Sequence, residues 1–185
     1  MPLATPRTYV VGEVMTAAIL NAEIRDQFNS LIADFQQVYK TADESVTSST
    51  VLQNDNHLLV SLVANARYEI IVRLAVNGAS GGDVKTAWTM PAGVTSQRYS
   101  FGPDVSSATS TAGTTVRASA ITNGHLVEIN YGIFSTGQQS YIEETLYVIT
   151  AGTAGTAQLQ WAQNASSATA TTVEEGSYIT ARRIA

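Results

Sequence analysis

The chain has no cysteine and only two histidines among its 185 residues. Without thiols it has no disulfide scaffold, no thiolate metal site and no cysteine nucleophile. The histidines, His57 and His125, lie far apart without metal-ligand spacing, and each begins a predicted strand. We therefore expect both imidazoles to be solvated, and we predict neither a metal site nor a cofactor.

Charge is scarce as well. Only 14% of the residues are charged, the formal net charge is -5, and the densest basic segment is Arg182-Arg183. Nucleic-acid binding needs a concentrated positive footprint, so we expect no nucleic-acid partner. No apolar run approaches the ~20 residues of a membrane span, so we expect no membrane insertion.

Apolar residues make up 44% of the chain, which is enough for a real core, and Thr, Ser, Ala and Gly fill much of the remainder. A disordered acidic tail would have higher charge and fewer β-branched residues. This composition instead favours many short strands joined by turns of small residues.

The N-terminal region combines an extended arm with a helix. Pro2 and Pro6 oppose helix within residues 1–14, and Thr16 is a plausible N-cap for a helix that we predict to reach Val38. Within it, residues three or four apart form a seam of the coiled-coil type. The seam consists of Asn21, Ile24, Phe28, Leu31, Phe35 and Val38.

Two interpretations of this seam remain open. It packs on the chain's own β domain, or it mediates self-association, which its narrow width favours because a core-facing stripe is usually wider. The predicted domains are residues 1–40, an arm and helix for docking and oligomerisation, and residues 41–185, a β domain.

After Lys40 the hydrophobic period changes to two, as in half-buried strands. Turn signals recur every 8–12 residues or so, which is typical of a sandwich or jelly roll. We predict a mainly β fold, with an N-terminal α-helix followed by a single antiparallel β-sandwich of the jelly-roll type. The expected core residues are Tyr68, Ile70, Val72, Leu74, Trp88, Val127, Ile129, Leu159 and Trp161.

Segments rich in small or polar residues are interpreted as connections. Residues 102–115 predict a long exposed loop, residues 78–83 a glycine-rich turn, and Asn54-Asp55-Asn56 a turn without the spaced acidic ligands of a calcium loop. We expect the first two to lie at one end of the jelly roll, where connections cluster.

The paired acids Glu143-Glu144 and Glu174-Glu175 suggest acid/base couples only at first sight. Adjacent residues of a strand point to opposite faces, so neither pair can flank one bond. Solvated charge is the favoured interpretation, and we predict that the chain is not an enzyme.

Two segments resemble a known group of proteins. Residues 8–31 resemble a segment shared by minor tail and fibre-like proteins of phages that infect actinobacteria, and residues 151–185 look like the closing strands of their β domain. In that group a basic or small residue often stands where this chain has Glu174-Glu175. The N-terminal features are Tyr9, Gly12, Glu13, Thr16, Ala17, Ala18, Leu20, Asn21, Arg25, Asp26 and Leu31.

This resemblance implies a non-catalytic component of the virion surface, whose jelly roll is similar to the trimers of the tumour-necrosis-factor and complement-C1q type. Expected partners are other virion proteins and further copies of the chain, in a homotrimer. The candidate particle-docking residues are Tyr9, Val11, Gly12 and Glu13.

Several functions stay open. The chain is a minor tail or fibre protein with a possible role in host attachment, or a capsid decoration protein or head fibre. A lectin-like module that binds host-surface glycans is the third alternative, since jelly rolls often bind sugars. It would need Trp88 and Trp161 as stacking faces, but both share a strand face with apolar residues and are expected in the core.

Overall fold

The protein is described by a computed structural model that covers residues 5, 7–107 and 115–185. Its N-terminal helix consists of α1 (Ala17–Leu20), a π-helical turn (Asn21–Arg25) and α2 (Asp26–Asp34). A short 3-10 turn spans Gly124–Leu126. None of the helices in these ranges is long and apolar enough to cross a membrane.

Twelve strands follow the helix in the described chain. They are β1 (Phe35–Tyr39), β2 (Glu44–Val46), β3 (Gln53–Leu62), β4 (Arg67–Asn77), β5 (Val84–Thr89), β6 (Thr95–Pro103), β7 (Val116–Thr122), β8 (Ile129–Tyr131), β9 (Ser140–Ile149), β10 (Gly155–Ala162), β11 (Thr171–Val173) and β12 (Tyr178–Arg183).

The strands form two antiparallel sheets. The first, sheet A, has the order β1-β12-β4-β9-β6-β7, with β11 also pairing β4 and β2 completing that edge; the second, sheet B, has the order β3-β10-β5-β8. Without β2, β11 and the β6–β7 hairpin, eight strands remain. Along the chain they change sheet at every connection except the one from β5 to β8, which is jelly-roll connectivity. The predicted fold class is confirmed.

The core lies between the sheets, and β4 shows how the sequence encodes it. Its apolar residues Tyr68, Ile70, Val72 and Leu74 are all buried, whereas the alternate residues are partly exposed. Burying one such side chain contributes roughly 1.5–3 kcal/mol. The opposite sheet contributes Trp88, Ile129, Leu159 and Trp161, which are buried as well.

Val127 differs from the other expected core residues because its side chain is 40% exposed. It follows the 3-10 turn directly, and strand β8 begins only at Ile129. The in-and-out alternation of a strand does not extend backwards through a turn. The prediction that Val127 lies in the core is therefore wrong.

The predicted helix was too long at its C-terminal end. It ends at Asp34, and Phe35–Tyr39 form β1, an edge strand paired with β12 from Phe35↔Arg182 to Tyr39↔Tyr178. The burial of these five residues alternates with period two although their apolar residues do not, so the hydrogen bonds offered by β12 decide the outcome. The N-terminal region 1–40 therefore contributes a strand to sheet A.

Two predicted connections are partly strand. Asn54-Asp55-Asn56 lies within β3, where Asp55 is fully buried, and Gly102-Pro103 end β6. Of the expected loop 102–115, residues 108–114 lie outside the described residues. Residues 78–83 do form a turn. This turn and the end of β6 both contact residues 132–133. Asp83 Oδ1 accepts a bond from Ile133 N at 2.9 Å, and Gly132 N donates to Pro103 O at 2.9 Å.

Candidate interaction surfaces

The N-terminal arm displays apolar side chains on a small turn. Glu13 N donates to Val10 O at 3.1 Å, and Gly12 takes a φ of +83°, in the left-handed region that favours glycine. The guanidinium of Arg7 pairs with the Glu13 carboxylate and lies 5.2 Å from the centre of the Tyr9 ring. Val11 is fully exposed and Tyr9 is 44% exposed. Of the expected docking residues, Tyr9, Val11 and Gly12 are thus exposed, whereas Glu13 is partly buried in its ion pair with Arg7.

The helix begins where the sequence predicts, because Thr16 Oγ1 accepts a hydrogen bond from Ile19 N at 3.3 Å. No residue between Ala17 and Asp34 is buried. The exposed apolar side chains of the helix form a stripe that therefore does not pack on the chain's own β domain. Its large apolar side chains are 42 to 71% exposed, and they are Leu20, Ile24, Phe28, Leu31 and Ile32.

The structure separates the six residues of the predicted seam. Asn21 and Ile24 lie on the π-helical turn, which shifts the angular register, and Phe28 and Leu31 lie on α2. Phe35 begins β1 and stays exposed, whereas Val38 is turned inward and packs against the core. The seam available to a partner is thus shorter than the sequence suggests, although Phe35 continues it onto sheet A.

The outer face of sheet A is a second apolar surface, which the sequence analysis missed. Tyr141 and Tyr147 occupy outward positions of β9, and Tyr99 and Phe101 do so on β6. The rings of Tyr99 and Tyr147 meet edge to face with centroids 5.8 Å apart. The sequence signal for this surface is the presence of aromatic residues at the outward positions of half-buried strands.

Neither tryptophan is available to a ligand. Trp88 donates from Nε1 to Glu144 Oε2 at 2.8 Å, and Trp161 donates from Nε1 to Asp55 Oδ2 at 3.1 Å. Both side chains are buried in the core. The stacking faces that a lectin-like site would need are therefore not supplied by these two residues.

Glu144 was expected to be solvated, yet it is fully buried and holds an ion pair inside the core. Arg98 Nη2 and Nε lie 2.6 and 3.0 Å from its two oxygens, and Thr86 and Tyr131 hydroxyls donate to Oε1 at 2.6 and 2.7 Å. Burial raises the pKa of Glu144, but the Arg98 charge and these hydrogen bonds more than offset it, so the pKa is below its ordinary value.

The reason for this burial is the position of β9 between β4 and β6, which turns every second residue of the strand inward. Glu144 follows Ile142 and precedes Leu146 on that inward phase. Arg98 also donates from Nη1 to Gly124 O and Val127 O at 3.0 and 2.7 Å. Both carboxylate oxygens of Glu144 already accept hydrogen bonds from residues of both sheets, so the cluster connects the sheets.

A second charged cluster surrounds Lys40. Its Nζ lies 2.8 Å from Asp55 Oδ2 and 2.7 Å from Glu44 Oε2, and Asp55 Oδ1 accepts from the backbone N of His57 and Leu58 at 2.9 Å. Glu44, Asp55 and His57 have ligand atoms within 4.8 Å of one another. The Lys40 ammonium pairs with both carboxylates, so a metal cation would have to displace it. The cluster is better explained as a set of ion pairs that connects β2 to β3.

The second histidine was also expected to be solvated, but His125 is buried next to Ser96. Its Nδ1 lies 2.7 Å from Ser96 Oγ. Burial lowers the pKa of His125, and the nearby positive charge of Arg98 lowers it further. His57 lies within β3, half-buried, with Nε2 at 3.1 Å from Thr41 Oγ1.

No protein-family model matches the chain, and no curated protein matches it. Among solved structures, the tripod (BppUct-A-L) from the baseplate of bacteriophage Tuc2009 is 13% identical, with 100% of this chain and 80% of that chain covered and a TM-score of 0.34. The VP2 subviral particle of infectious bursal disease virus is also 13% identical, with 82% and 37% covered and a TM-score of 0.22. Similarity at this level assigns no function to the chain.

Proposed function

We propose that the chain is a structural protein of a bacteriophage virion, of the minor tail or fibre type. Its arm and helix dock onto the particle, and its jelly roll projects outward. The observation that carries this proposal is the helix from Ala17 to Asp34, which exposes its apolar stripe and has no buried residue. Most helices in proteins are stabilised by packing of their apolar face, so the exposed stripe is expected to pack on another chain.

The sequence resemblance also supports a docking role for the arm and helix, distinct from the role of the jelly roll. The segment shared with actinobacteriophage tail and fibre-like proteins is residues 8–31, which includes the exposed arm and most of the helix. One of the two segments that resemble phage proteins thus carries the exposed apolar stripe of the helix, and the other, residues 151–185, contains strands β10 to β12. The proposal does not rest on the likeness to the baseplate tripod, whose TM-score is too low to support it.

The helix stripe also supports a homotrimer. Ile24, Phe28 and Leu31 from three parallel helices would remove apolar area from water at about 25 cal/mol per Å². Asn21 at one end of the stripe is the residue type that fixes register in coiled coils. Sedimentation equilibrium of the full chain should give the trimer mass at micromolar concentration, and a monomer mass there would refute this element.

Membership of the virion is tested on purified particles. Mass spectrometry should detect the chain in stoichiometric amounts, and immunogold labelling should place it on the tail. Labelling on the head would favour a capsid decoration protein or head fibre instead. Absence of the chain from purified particles would refute the whole proposal.

Host attachment is the finer part of the proposal. The end of the jelly roll formed by residues 78–83 and the segment after β6 offers small, polar side chains, so each contact would be weak and several copies would be needed. Replacing residues 104–114 by a short Gly-Ser linker should reduce phage adsorption. Unchanged adsorption at normal copy number would leave the structural role and remove the attachment role.

A further inference from the structure

The two outer faces of the sandwich differ in composition. Sheet B presents mostly small amides and hydroxyls, as a solvated face should, and its one large exposed apolar side chain among the described strands is Leu59. Sheet A presents aromatic rings. Five of the chain's eight tyrosines and two of its four phenylalanines lie on this outer face: Tyr39, Tyr99, Tyr141, Tyr147, Tyr178, Phe35 and Phe101.

These rings form connected groups across the strands. The register places Tyr39 beside Tyr178 and Tyr178 beside Arg73, with the tyrosine ring centroids 5.7 Å apart and the guanidinium 5.7 Å from the Tyr178 ring. Tyr99 and Tyr147 form the edge-to-face pair on β6 and β9. Tyrosine, phenylalanine and arginine are the residues enriched in the buried cores of protein interfaces.

Of the five charged side chains on this face, four are paired, and the fifth, Arg67, is the first residue of β4 and lies at one end of the face. Arg73 Nε lies 2.7 Å from Glu143 Oε2, and Arg182 Nη2 lies 3.0 Å from Glu69 Oε2. A partner can therefore cover the face up to Arg67 without leaving an unpaired charge, which would be strongly unfavourable in a buried interface. The two ion pairs cancel, so this part of the face requires no charge from the partner, which suits a second copy of the same surface.

The face is continuous with the exposed stripe of the helix. Phe35 follows α2 directly, stays exposed, and pairs with Arg182 at the edge of sheet A. Tyr39 lies four residues further along the same strand, on the same outward phase. A chain that shares the helix stripe with its neighbour thus brings its own aromatic face beside the neighbour's face.

We infer that the outer face of sheet A is a surface on which copies of this chain pack against one another, in the same oligomer that the helix forms. The inference rests on the trimer of the proposed function and assigns it a second interface. Six strands about 4.8 Å apart and about eight residues long give a face of roughly 750 Å². That area is close to the ~800 Å² per partner of a standard interface.

A groove at the edge of this face provides a place for an anchoring side chain. It has a volume of about 220 Å³ and is lined by Phe101, Pro103, Val116, Phe134 and Tyr141, with Gly102 and Gln139. Anchors in interfaces are large side chains seated in such apolar recesses. We expect a side chain of the neighbouring copy to occupy it.

The first test compares two matched sets of variants in the full chain. Tyr99→Gln combined with Phe101→Gln removes exposed rings from sheet A, and Leu59→Gln makes the same kind of change on sheet B. Sedimentation equilibrium should show that the double variant dissociates at a concentration at least about tenfold higher than the wild type. Leu59→Gln should leave the dissociation unchanged.

The second test needs no variant. Hydroxyl-radical footprinting of the wild-type protein should show Tyr99, Phe101 and Tyr147 protected at oligomer-forming concentrations and reactive after dilution. Leu59 should react equally at both concentrations. This measurement also decides the outcome if the double variant does not fold.

The outcomes separate this inference from the proposed function. A wild-type trimer whose sheet A rings stay reactive, or whose stability is unaffected by the double variant, would overturn the inference alone and leave the face free for another partner. A wild-type monomer would overturn both the inference and the trimer. Detection of the chain in purified particles is independent of either result.

Discussion

At the scale of single residues, the buried charges are the main surprise of this chain. Arg98 and Glu144 are both fully buried, and each has a complete set of hydrogen-bond partners. Removing one charge from such a pair costs far more than the pair contributes, because the remaining ion stays in a medium that cannot solvate it. The cluster therefore makes the sandwich sensitive to isosteric changes that a surface would tolerate.

Glu144→Gln should lower the free energy of unfolding by about 3–5 kcal/mol, because it leaves the Arg98 guanidinium without its counter-charge. The measurement is urea unfolding at neutral pH and fixed protein concentration. Glu128→Gln is the matched control, since Glu128 is exposed and pairs with Lys85 at 2.9 Å. That change should cost less than about 1 kcal/mol. Equal losses in the two variants would contradict the structural role of Glu144.

Buried His125 makes the folded chain less stable as the pH falls. Burial, followed by the Arg98 charge, lowers its pKa in the folded chain below the ordinary value of 6.5. As the pH falls below about 6.5, the unfolded chain therefore binds a proton at this site before the folded chain does, and folding stability decreases. His125→Gln should reduce the loss of unfolding free energy between pH 7 and pH 5. A variant that loses as much stability as the wild type would refute this assignment.

At the scale of elements, the N-terminal helix adds no buried residue to the core of the fold. Phe28 is among its most exposed apolar residues, so its side chain contributes little to the stability of an isolated chain. Phe28→Gln should leave the spectroscopic signature of the β domain unchanged and weaken self-association, as sedimentation equilibrium would measure. Ala33→Gln, on another face of α2, is the control and should not change the oligomer. A trimer that tolerates Phe28→Gln would exclude the helix stripe as its interface.

The boundary between helix and sheet illustrates what a pattern leaves undecided. Phe35 and Val38 continue the helical seam, but they also fit a strand whose residues alternate between outward and inward positions. Both periods describe the same five residues. Only the free edge of β12, which lies far away in sequence, selects the strand.

At the scale of the whole molecule, the arm and the β domain are expected to separate cleanly. The described residues of the arm contact one another, and the backbone N of Arg7 donates to Glu23 Oε2 on the helix at 3.4 Å. A chain that starts at Thr16 should therefore keep the thermal unfolding midpoint of the full protein within a few degrees. It should fail to enter virions, as mass spectrometry of particles would show. Normal incorporation of the truncated chain would remove the docking role from Tyr9, Val11, Gly12 and Glu13.

The sequence alone determined those features whose signal is local. The alternation in β4 encodes a half-buried strand with its inward residues named correctly, and Thr16 encodes the start of the helix through one short-range bond. The spacing of such strands was enough to predict an antiparallel sandwich, since each strand carries its own buried face.

The tertiary structure alone decided which polar residues lie inside and which apolar residues lie outside. The burial of Glu144 is tolerated because Arg98 pairs with it from another strand, and the burial of Asp55 is tolerated because Lys40, directly after β1, pairs with it. The aromatic face of sheet A arises only when β1, β4, β6, β9 and β12 lie side by side. These outcomes depend on partners distant in sequence, whose contact free energy exists only after the sheets have formed, so no local pattern records them.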